Sequence, residues 1–297
     1  MKAKIIDGKA RAAEIKEELK AEVARLARPP KMAVILVGTN PASQIYVKHK
    51  KKIAEEIGIE TEVFALSEVM TEDTLVSFVR ELNQRADIDG IIVQLPLPKH
   101  INATHVIESI DPEKDIDGLC SRNLGKLFTG LSGLIPCTPL ACMDLIKTVR
   151  PNTDGLRAVI VGRSCLVGKP LGQLLLEAQC TVTQAHSHTR DLAEVCQTAD
   201  ILVVAAGRAG LITAKHIKPG AIVIDVGINR DSNGKLCGDV DFAAVAAVAG
   251  AITPVPGGVG PMTVIMLMKN VVQVYLNRGG KKRLDKPESR DTIRHKR

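Results

Sequence analysis

Short apolar segments rich in β-branched residues alternate with segments of helical periodicity along most of the chain. The apolar segments are too uniformly hydrophobic to be strands with one face in water, so both faces should be buried. Strands of this kind form parallel sheets covered by helices, and the pattern therefore predicts an α/β fold. The predicted strands are residues 32–37, 61–66, 90–94, 158–161, 181–184, 201–205, 221–226 and 251–253.

The length of 297 residues favours two domains. Helices are predicted between the strands at residues 10–27, 42–57, 72–85, 169–178 and 191–198. Residues 111–155 are rich in Gly, Pro and Asp and are expected to be connections, and a new strand-turn-helix unit begins at Leu156. We therefore predict a first domain over residues 1–140 and a second over 141–261, with a cleft between them. The periodic segment 262–277 is expected to pack back on the first domain.

The basic character of the chain is concentrated at its C-terminal end. Residues 278–297 contain nine Lys or Arg and three acids, which account for +6 of the formal net charge of +7. We expect this segment to be a solvated, disordered tail. Aromatic residues are only 2% of the chain, which leaves few side chains on which bases could stack. Nucleic acid is therefore not an expected partner.

The cysteines and the N-terminus favour a reducing compartment. Seven cysteines are scattered without a C-x-x-C pair, so neither a disulfide framework nor a metal site is predicted. The N-terminus lacks the apolar core of a signal peptide. An uncharged stretch at residues 242–268 is interrupted by Pro254, Pro256 and Pro261, so it is not expected to be one membrane helix. We expect a cytoplasmic protein without a membrane partner.

A glycine-rich turn follows the predicted strand 158–161. Gly162, Gly168 and Gly172 lie where a turn opens a helix, the context in which backbone N–H groups hold a pyrophosphate. Their spacing departs from G-x-G-x-x-G, so a helix-packing turn in another kind of α/β protein stays open as an alternative.

The next strand favours NADP over NAD as the dinucleotide. An enzyme that uses NAD usually carries an acid at the end of this strand for the ribose 2′-OH, but no acid precedes Asp191 here. Ser187 in this segment and Arg163 on the facing turn can both donate to a 2′-phosphate. Alternatively, Ser187 or Thr189 caps the following helix, and the two interpretations are compatible.

One lysine lies on the apolar side of a predicted helix. Asn40 is a capping residue before Pro41, and Gly58 is a stop signal, so a helix is predicted over residues 42–57. At about 100° per residue, Lys50 falls within the apolar stripe, whereas the neighbouring lysines face solvent. Lys50 either snorkels past the stripe or is a partly desolvated amine suited to proton transfer. The residues of the stripe are Ile45, Tyr46, Ile53 and Ile57.

Three further features suggest a ligand site. Gln94 lies at the carboxyl end of a strand, where open α/β sheets bind ligands, or it bonds the Pro-rich turn that follows. Asp117 lies near the end of an acidic loop, which lacks the length and the terminal Glu of a calcium site. Its carboxylate either stabilises a turn or accepts hydrogen bonds from N–H groups of a heteroaromatic ring. The loop 254–263 either connects two elements or admits a flat ligand past its glycines.

Seven ordered motifs resemble the bifunctional methylenetetrahydrofolate dehydrogenase/cyclohydrolase family. The resemblance runs from about residue 5 to residue 277, and we expect the short form with two activities. The motifs are Tyr46-Val-Lys-His-Lys50, Val93-Gln-Leu-Pro-Leu-Pro98, Asp115-Ile-Asp-Gly118, Pro136-Cys-Thr-Pro139, Gly162-Arg-Ser164 with Val167-Gly-Lys-Pro170, Asp225-Val-Gly-Ile228 and Pro254-Val-Pro-Gly-Gly-Val-Gly-Pro-Met-Thr263.

The resemblance implies NADP-dependent oxidation of 5,10-methylenetetrahydrofolate to 5,10-methenyltetrahydrofolate, then hydrolysis to 10-formyltetrahydrofolate, in one-carbon metabolism and purine biosynthesis. It implies a folate-binding catalytic first domain, a Rossmann-type NADP domain with a parallel sheet, and a homodimer formed through the latter.

The resemblance also assigns roles to residues. Lys50 would be the catalytic lysine of the hydrolysis, with Gln94 as its partner, Tyr46 as the ring-stacking wall and Asp117 as the pterin anchor. Many members of the family have Lys where this chain has His188. This difference affects how strongly a 2′-phosphate would be bound. Further substrate contacts would come from Val93, Leu95, Pro256, Gly257, Gly258, Val259 and Gly260, and cofactor contacts from Gly162, Arg163, Ser164, Ser187 and Ile228.

Other classes of protein fit the sequence less well. An oxidoreductase acting on a small acid would need a positioned pair of basic residues in the cleft, where Gln94 and Asp117 stand instead. A non-catalytic dinucleotide-binding protein has no need for an amine at position 50. A dehydrogenase without hydrolase activity has no need to combine Lys50 with Gln94.

Overall fold

Two parallel β-sheets with helices on both faces, and one small antiparallel pair of strands, form the protein, as described by a computed structural model over residues 3–280. The α/β prediction is confirmed. Of the predicted tail 278–297, only residues 278–280 lie within the described range. The strands are β1 Lys4–Ile5, β2 Lys31–Val37, β3 Glu60–Leu66, β4 Gly90–Val93, β5 Arg157–Val161, β6 Thr181–Ala185, β7 Ile201–Val204, β8 Ile222–Asp225, β9 Asn229–Arg230, β10 Leu236–Cys237 and β11 Ala251–Ile252. The helices are α1 Gly8–Val23, α2 Pro41–Ile57, α3 Glu72–Gln84, α4 Ala103–Glu108, α5 Ser121–Phe128, α6 Cys137–Val149, α7 Gly168–Glu177, α8 Leu192–Gln197, α9 Phe242–Val245 and α10 Val259–Asn277, with a 3₁₀ turn at Ala214–His216.

The first sheet has the order β3-β2-β4, and all three strands are parallel. Its central strand β2 is buried on both faces, as its unbroken apolar sequence predicts. Val34 and its alternate neighbours pack with α1 and α2, whereas Ile35 and its alternate neighbours pack with α3. This sheet fixes the position of Gln94, whose backbone N–H donates to Ile35 O at 2.8 Å directly after β4.

The second sheet has the order β1-β11-β8-β7-β5-β6, again with every strand parallel. From β5 the chain moves outward to β6 and then back across to β7, so the strand order reverses at β5. A crevice forms at the carboxyl ends of strands on either side of such a reversal, and dinucleotides bind there in folds of this kind. The sequence did not predict β1, because two residues are too few to show a period.

Residues 111–155 contain two helices, so the expectation that this segment consists of connections is wrong. Pro136 and Pro139 lie at the N-cap and in the first turn of α6, where proline is compatible with a helix. The density of Gly and Pro was therefore misread as loop composition. Helix α6 packs against α7 and α10, and residue 140 lies within it.

Helix α10 packs against α1, α2 and α6. By length and composition alone it could cross a membrane, but 67% of its apolar window is buried inside the protein. Its core residues and those of α6 join the inner faces of both sheets in one hydrophobic cluster. The loop before α10 is therefore held beside the space between the sheets.

Candidate active site

Helix α2 carries Lys50 on its inner side. The helix begins after Asn40, whose side chain accepts from Ser43 N, and it ends at Gly58 in the left-handed conformation (φ 94°), as predicted. Its buried residues are Ser43, Val47, Ala54 and Ile57. Lys50 belongs to this inward row by helical spacing and is half-buried.

The predicted apolar stripe of α2 is wrong in one part. Ile45 is 66% exposed and Tyr46 is 42% exposed, so neither belongs to the core. The inner row of the helix instead uses Ser43 and Ala54, because small side chains let α2 approach β2 and β3 closely. Tyr46 points into the cleft that is described below.

The amine of Lys50 is held by Gln94. Lys50 Nζ donates to Gln94 Oε1 at 3.0 Å, and Gln94 Nε2 donates to Leu95 O at 2.7 Å. Because the second bond uses the amide nitrogen, the amide oxygen must face the lysine. Gln94 thus does both things foreseen for it: it bonds the turn after β4, and it presents an acceptor to the candidate catalytic amine.

Asp117 adds a carboxylate near this pair. Its side chain is half-buried, and loss of solvent raises its pKa, with a further upward effect from the charge of Asp115. The charge of Lys50 and a hydrogen bond with the Cys137 thiol oppose that rise in pKa. Asn270 on α10 fixes the backbone beside Asp117, because its Nδ2 donates to Ile116 O at 2.9 Å.

A cleft pocket of about 210 Å³ is lined by Tyr46, which lies one helical turn before Lys50 on α2, whereas Lys50, Gln94 and Asp117 do not themselves line it. Tyr46 forms one wall, and the opposite wall comes from the loop before α10 and from the segment after β8. The loop is anchored from α1, since Lys9 N donates to Gly257 O at 3.0 Å, and a Cβ at Gly8 would overlap Gly258 O. The predicted residues that line the pocket are Tyr46, Ile228, Pro256, Gly257, Gly258, Val259 and Gly260.

A second, larger pocket of about 460 Å³ lies at the carboxyl ends of β5, β6 and β7. Gly162, Arg163, Ser164 and Ser187 line it together, as predicted from the sequence. The sequence analysis missed Arg208, which enters from the loop after β7. Within residues 3–280, neither Arg163 nor Arg208 has an ion-pair or hydrogen-bond partner for its guanidinium. The pocket therefore offers two uncompensated positive charges to an anion.

We call this second pocket the cofactor pocket. The turn that lines it packs so closely on its neighbours that two positions require glycine. Gly162 has φ 144°, and a Cβ there would overlap Ala205 O. A Cβ at Gly168 would overlap Gly162 O, so the start of α7 lies directly against the turn. Ser164 Oγ accepts from Val167 N at 3.1 Å and shapes the same turn. The departure from G-x-G-x-x-G spacing is thus compatible with a dinucleotide turn of the expected kind.

Two buried carboxylates connect the cofactor pocket to the cleft pocket. Asp239 accepts from the backbone N–H groups of residues 206, 207 and 208 at 2.6 to 2.9 Å. Asp225 accepts from Gly227 N at 2.9 Å and from Asp239 N at 3.0 Å. The pKa of Asp225 is raised to about 6, mainly because burial removes solvent from the carboxylate and to a smaller extent because of the nearby charge of Asp239. These carboxylates fix the loops after β7 and β8, and the sequence analysis recognised only the motif that contains Asp225.

The structure does not bring every predicted residue to a pocket. Val93 is 4% exposed and completes the core, and Leu95 serves the site through its carbonyl, which holds Gln94. Ile228 lines the cleft pocket rather than the cofactor pocket. His188 lies outside the cofactor pocket, whereas His186 lines it. Among residues 3–280, no cluster of three or more His, Cys, Asp or Glu is placed to hold a metal ion.

The fold and the cofactor pocket define a class of protein: an α/β protein with a dinucleotide-type site at the carboxyl ends of one parallel sheet and an amine-amide pair beside the other. Family models narrow this class. The tetrahydrofolate dehydrogenase/cyclohydrolase catalytic domain matches residues 6–117, and the NAD(P)-binding domain of the same family matches residues 136–278. The chain belongs to this family.

Relatives of known name or structure support the same family assignment. The bifunctional protein FolD of Listeria innocua is 53% identical over 91% of this chain and 96% of its own length. The bifunctional dehydrogenase/cyclohydrolase from Campylobacter jejuni superposes with a TM-score of 0.91 at 47% identity, covering 93% of this chain and 99% of that one. The enzyme from Trypanosoma brucei, complexed with NADP and an inhibitor, superposes with a TM-score of 0.89 at 39% identity, covering 94% and 99%.

These matches confirm the predicted family and fold class. They also confirm a dehydrogenase/cyclohydrolase function and the dinucleotide cofactor.

Proposed function

We propose that the chain oxidises 5,10-methylenetetrahydrofolate with NADP⁺ and hydrolyses the resulting 5,10-methenyltetrahydrofolate to 10-formyltetrahydrofolate in the same cleft. The observation that carries this proposal is the 3.0 Å hydrogen bond from Lys50 to Gln94, which directs an amine on the same helix as Tyr46, one turn from that residue of the cleft wall. A dehydrogenase alone requires no such group, because hydride transfer needs only that the two reacting rings lie face to face.

The cofactor pocket fits NADP. Gly162 and Gly168 let the turn after β5 pack directly against Ala205 and against the start of α7, so the N-terminus of that helix lies beside the turn that would hold a pyrophosphate. Arg163 and Ser187 are the donors for a 2′-phosphate, and no acid lines the pocket to repel it. When bound, NADP⁺ supplies the hydride acceptor of the oxidation. Ile228 lines the cleft pocket, and Asp225 with Asp239 holds backbone segments that line the two pockets, so these residues position the reacting end of the dinucleotide.

The cleft pocket orients the folate. Tyr46 offers a flat wall to the substrate ring, and Pro256 to Gly260 form the facing wall at close backbone approach. Asp117 accepts from N–H groups of the pterin, and Asn270 keeps the backbone of Asp117 in place. These contacts hold the one-carbon unit in a fixed position for both reactions.

Lys50 acts in the hydrolysis. Methenyltetrahydrofolate is a cation, which repels an ammonium group and favours the neutral amine of Lys50 while the substrate is bound. The oxygen of a water molecule adds to the methenyl carbon, and its proton passes to Lys50. The carbon–N5 bond then breaks as N5 receives that proton, the remaining hydroxyl proton is released to solvent as the formyl C=O forms, and the formyl group remains on N10. Gln94 directs the amine through its amide oxygen.

A time course with methylenetetrahydrofolate tests the proposal, with NADP⁺ and NAD⁺ used separately. Methenyl and formyl products are followed as distinct species. We expect the formyl product with NADP⁺ and little build-up of the methenyl compound. If the methenyl compound accumulated and decayed only at the buffer rate, the hydrolase assignment would be wrong. No turnover with either dinucleotide would contradict the whole proposal.

We further propose a cytoplasmic homodimer formed through the second domain, without a nucleic-acid or membrane partner. Strand β6 supports the dimer, because it ends its sheet and its outer edge pairs with no strand among residues 3–280. Leu176 on the preceding helix is 55% exposed. Light scattering of the purified protein measures the mass directly. The seven free thiols support a reducing compartment, where the formyl product would serve purine biosynthesis.

A further inference from the structure

A buried lysine with no part in either reaction lies in the loop that carries Asp117. The side chain of Lys114 is only 1% exposed, and within residues 3–280 no other lysine or arginine is buried. Removing an ammonium group from water costs free energy unless hydrogen bonds and nearby charge replace its hydration. A methionine would fill the same space without this cost, so the contacts of the ammonium group must compensate for it.

The ammonium group of Lys114 closes the C-terminal end of α3. Its Nζ donates to Leu82 O at 3.3 Å, to Asn83 O at 2.7 Å and to Arg85 O at 2.7 Å. The last carbonyls of a helix have no partner within the helix, and the helix dipole places partial negative charge there. These three bonds use all three donors of the ammonium group, and they bind the loop to α3.

The side chain of Asn83 binds the start of the same loop to α3. Its Nδ2 donates to Ser109 O at 2.8 Å, and its Oδ1 accepts from Asp111 N at 3.0 Å. The loop therefore has two ties to the end of this helix. One tie is neutral, whereas the tie through Lys114 depends on a positive charge.

The backbone of Lys114 leads directly to the folate anchor. Its carbonyl accepts from Ile91 N of β4 at 2.7 Å, and the side chain of Asp115 then accepts from Cys120 N at 2.8 Å. Asp117 follows Lys114 by three residues. The position of the anchor carboxylate is therefore set by the loop that the ammonium group holds.

Charged groups from several elements face the ammonium group. Burial lowers the pKa of Lys114 to about 8, and the charge of Arg278 after α10 acts in the same direction. Asp111 in the loop, with Asp87 and Asp89 before β4, opposes this lowering of the pKa. Helix α3 presents the three carbonyls to which the amine donates. The ammonium group therefore loses its proton at a lower pH than an exposed lysine would.

We propose that Lys114 is a positioning residue of the folate site: its ammonium group holds the loop that presents Asp117, and loss of its proton releases the loop and weakens folate binding. This inference rests on the proposed function, in which Asp117 anchors the pterin. A neutral amine has two donors for three carbonyls and no charge, so it cannot keep all three contacts. Because the anchor works only in the ordered loop, protonation of Lys114 and folate binding favour each other.

The test is the pH dependence of the Kd for tetrahydrofolate, measured by calorimetry. A difference of one pKa unit between free and bound protein corresponds to a tenfold change in Kd, so we expect a three- to tenfold rise between about pH 7 and about pH 9. The Kd for NADP⁺ should stay constant over this range, because the cofactor pocket lies at the other sheet. The kcat of the oxidation should change by less than about twofold, because the anchor contact is lost equally from the ground state and the transition state.

The variant Lys114→Met should bind tetrahydrofolate weakly already at neutral pH and show no further rise in Kd in alkali. Its control is Lys147→Met, which removes an exposed lysine from α6 and should keep the pH profile of the unmodified protein.

A second variant keeps the lysine, because Lys114→Met leaves three buried carbonyls without a donor. Asn83→Ala removes only the neutral tie from a half-buried position. The loop then depends on Lys114 alone, so the alkaline rise in Kd should be larger than in the unmodified protein.

Four results would overturn this role of Lys114. They are a Kd for tetrahydrofolate that stays constant in alkali, an alkaline rise that persists in Lys114→Met, an alkaline rise that Asn83→Ala leaves unchanged, and a parallel loss of NADP⁺ affinity, which would indicate general loosening of the fold. The proposed function fails on a different result, the absence of turnover of methylenetetrahydrofolate by the unmodified protein at neutral pH.

Discussion

Lys50 on α2 and Gln94 at the end of β4 are 44 positions apart in the sequence, yet Lys50 Nζ donates to Gln94 Oε1 at 3.0 Å. Each is fixed by its own element. Lys50 lies in the inward row of α2, and Gln94 is bound through its backbone to Ile35 O and through its amide nitrogen to Leu95 O. An amine with a directed acceptor, one helical turn from the cleft residue Tyr46, is suited to moving a proton, which is the step that the hydrolysis needs.

Replacement of Gln94 by alanine should slow the hydrolysis more than the oxidation. Loss of the acceptor leaves the amine free to turn away, and misplacing a proton-transfer group costs about a hundredfold in rate. Single-turnover measurements with methenyltetrahydrofolate report the hydrolysis, and hydride transfer is followed separately. Gln273→Ala is a matched control on the exposed side of α10. Equal losses in both activities would argue against a specific link to Lys50.

The substitution Asp117→Asn should raise the KM for methylenetetrahydrofolate while the Kd for NADP⁺ stays the same. Hydrogen bonds to charged groups contribute about 1.5–3 kcal/mol, so a rise of about ten- to a hundredfold is expected. Because burial raises the pKa of Asp117, the KM of the unmodified enzyme should begin to rise at a higher pH than for an exposed carboxylate as pH falls. A pH-independent KM in the acid range would contradict the anchor role.

Arg163→Ala should weaken NADP⁺ binding by tenfold or more and leave NAD⁺ binding nearly unchanged. The reason is that the guanidinium has no protein partner within residues 3–280 and faces the pocket where the 2′-phosphate would bind. Calorimetry with the two dinucleotides measures both constants. Arg190→Ala removes a nearby exposed arginine that does not line the pocket, and it should leave the selectivity intact. Equal weakening of both dinucleotides would place Arg163 on the pyrophosphate instead.

Stability should respond to the titration of Asp225. Its pKa in the folded protein is about 6, above the ordinary value of 3.8, so the folded state binds the proton more tightly than the unfolded state. Its contribution to the free energy of unfolding therefore increases as pH falls from about 7 to 5, by about 1 kcal/mol. The free energy of unfolding is measured in denaturant at pH 7 and at pH 5, for the unmodified protein and for Asp225→Asn. The change with pH that is missing in the variant is the contribution of Asp225. If the difference between the two did not change with pH, the pKa of Asp225 would not be raised.

Local sequence signals predicted much of the fold and part of the site. Strand β2 is apolar throughout and was located within one residue, and Asn40 and Gly58 marked both ends of α2. Gly162 and Ser187 line one pocket because strand ends in a parallel sheet converge at one edge, which local reasoning could anticipate.

Contacts between distant segments were beyond local reasoning. Arg208 has no motif around it, and it reaches the cofactor pocket only because Asp239 binds its backbone N–H. Asn270 did carry a signal, since it is a polar residue in an otherwise apolar helix, but its partner Ile116 lies 154 positions away. Helix α6 was missed because its prolines lie in its first turn, where they are compatible with a helix.

The central claim is that one cleft performs two reactions and that Lys50 serves only the second. The most direct test is the ratio of the two rates in Lys50→Met, with Lys48→Met on the exposed side of the same helix as control. Our account predicts that methenyl hydrolysis falls to the buffer rate in Lys50→Met, that the NADP⁺-dependent oxidation continues so that methenyl product accumulates, and that the control behaves like the unmodified enzyme. Hydrolysis that persisted in Lys50→Met, or equal loss of both reactions, would contradict it.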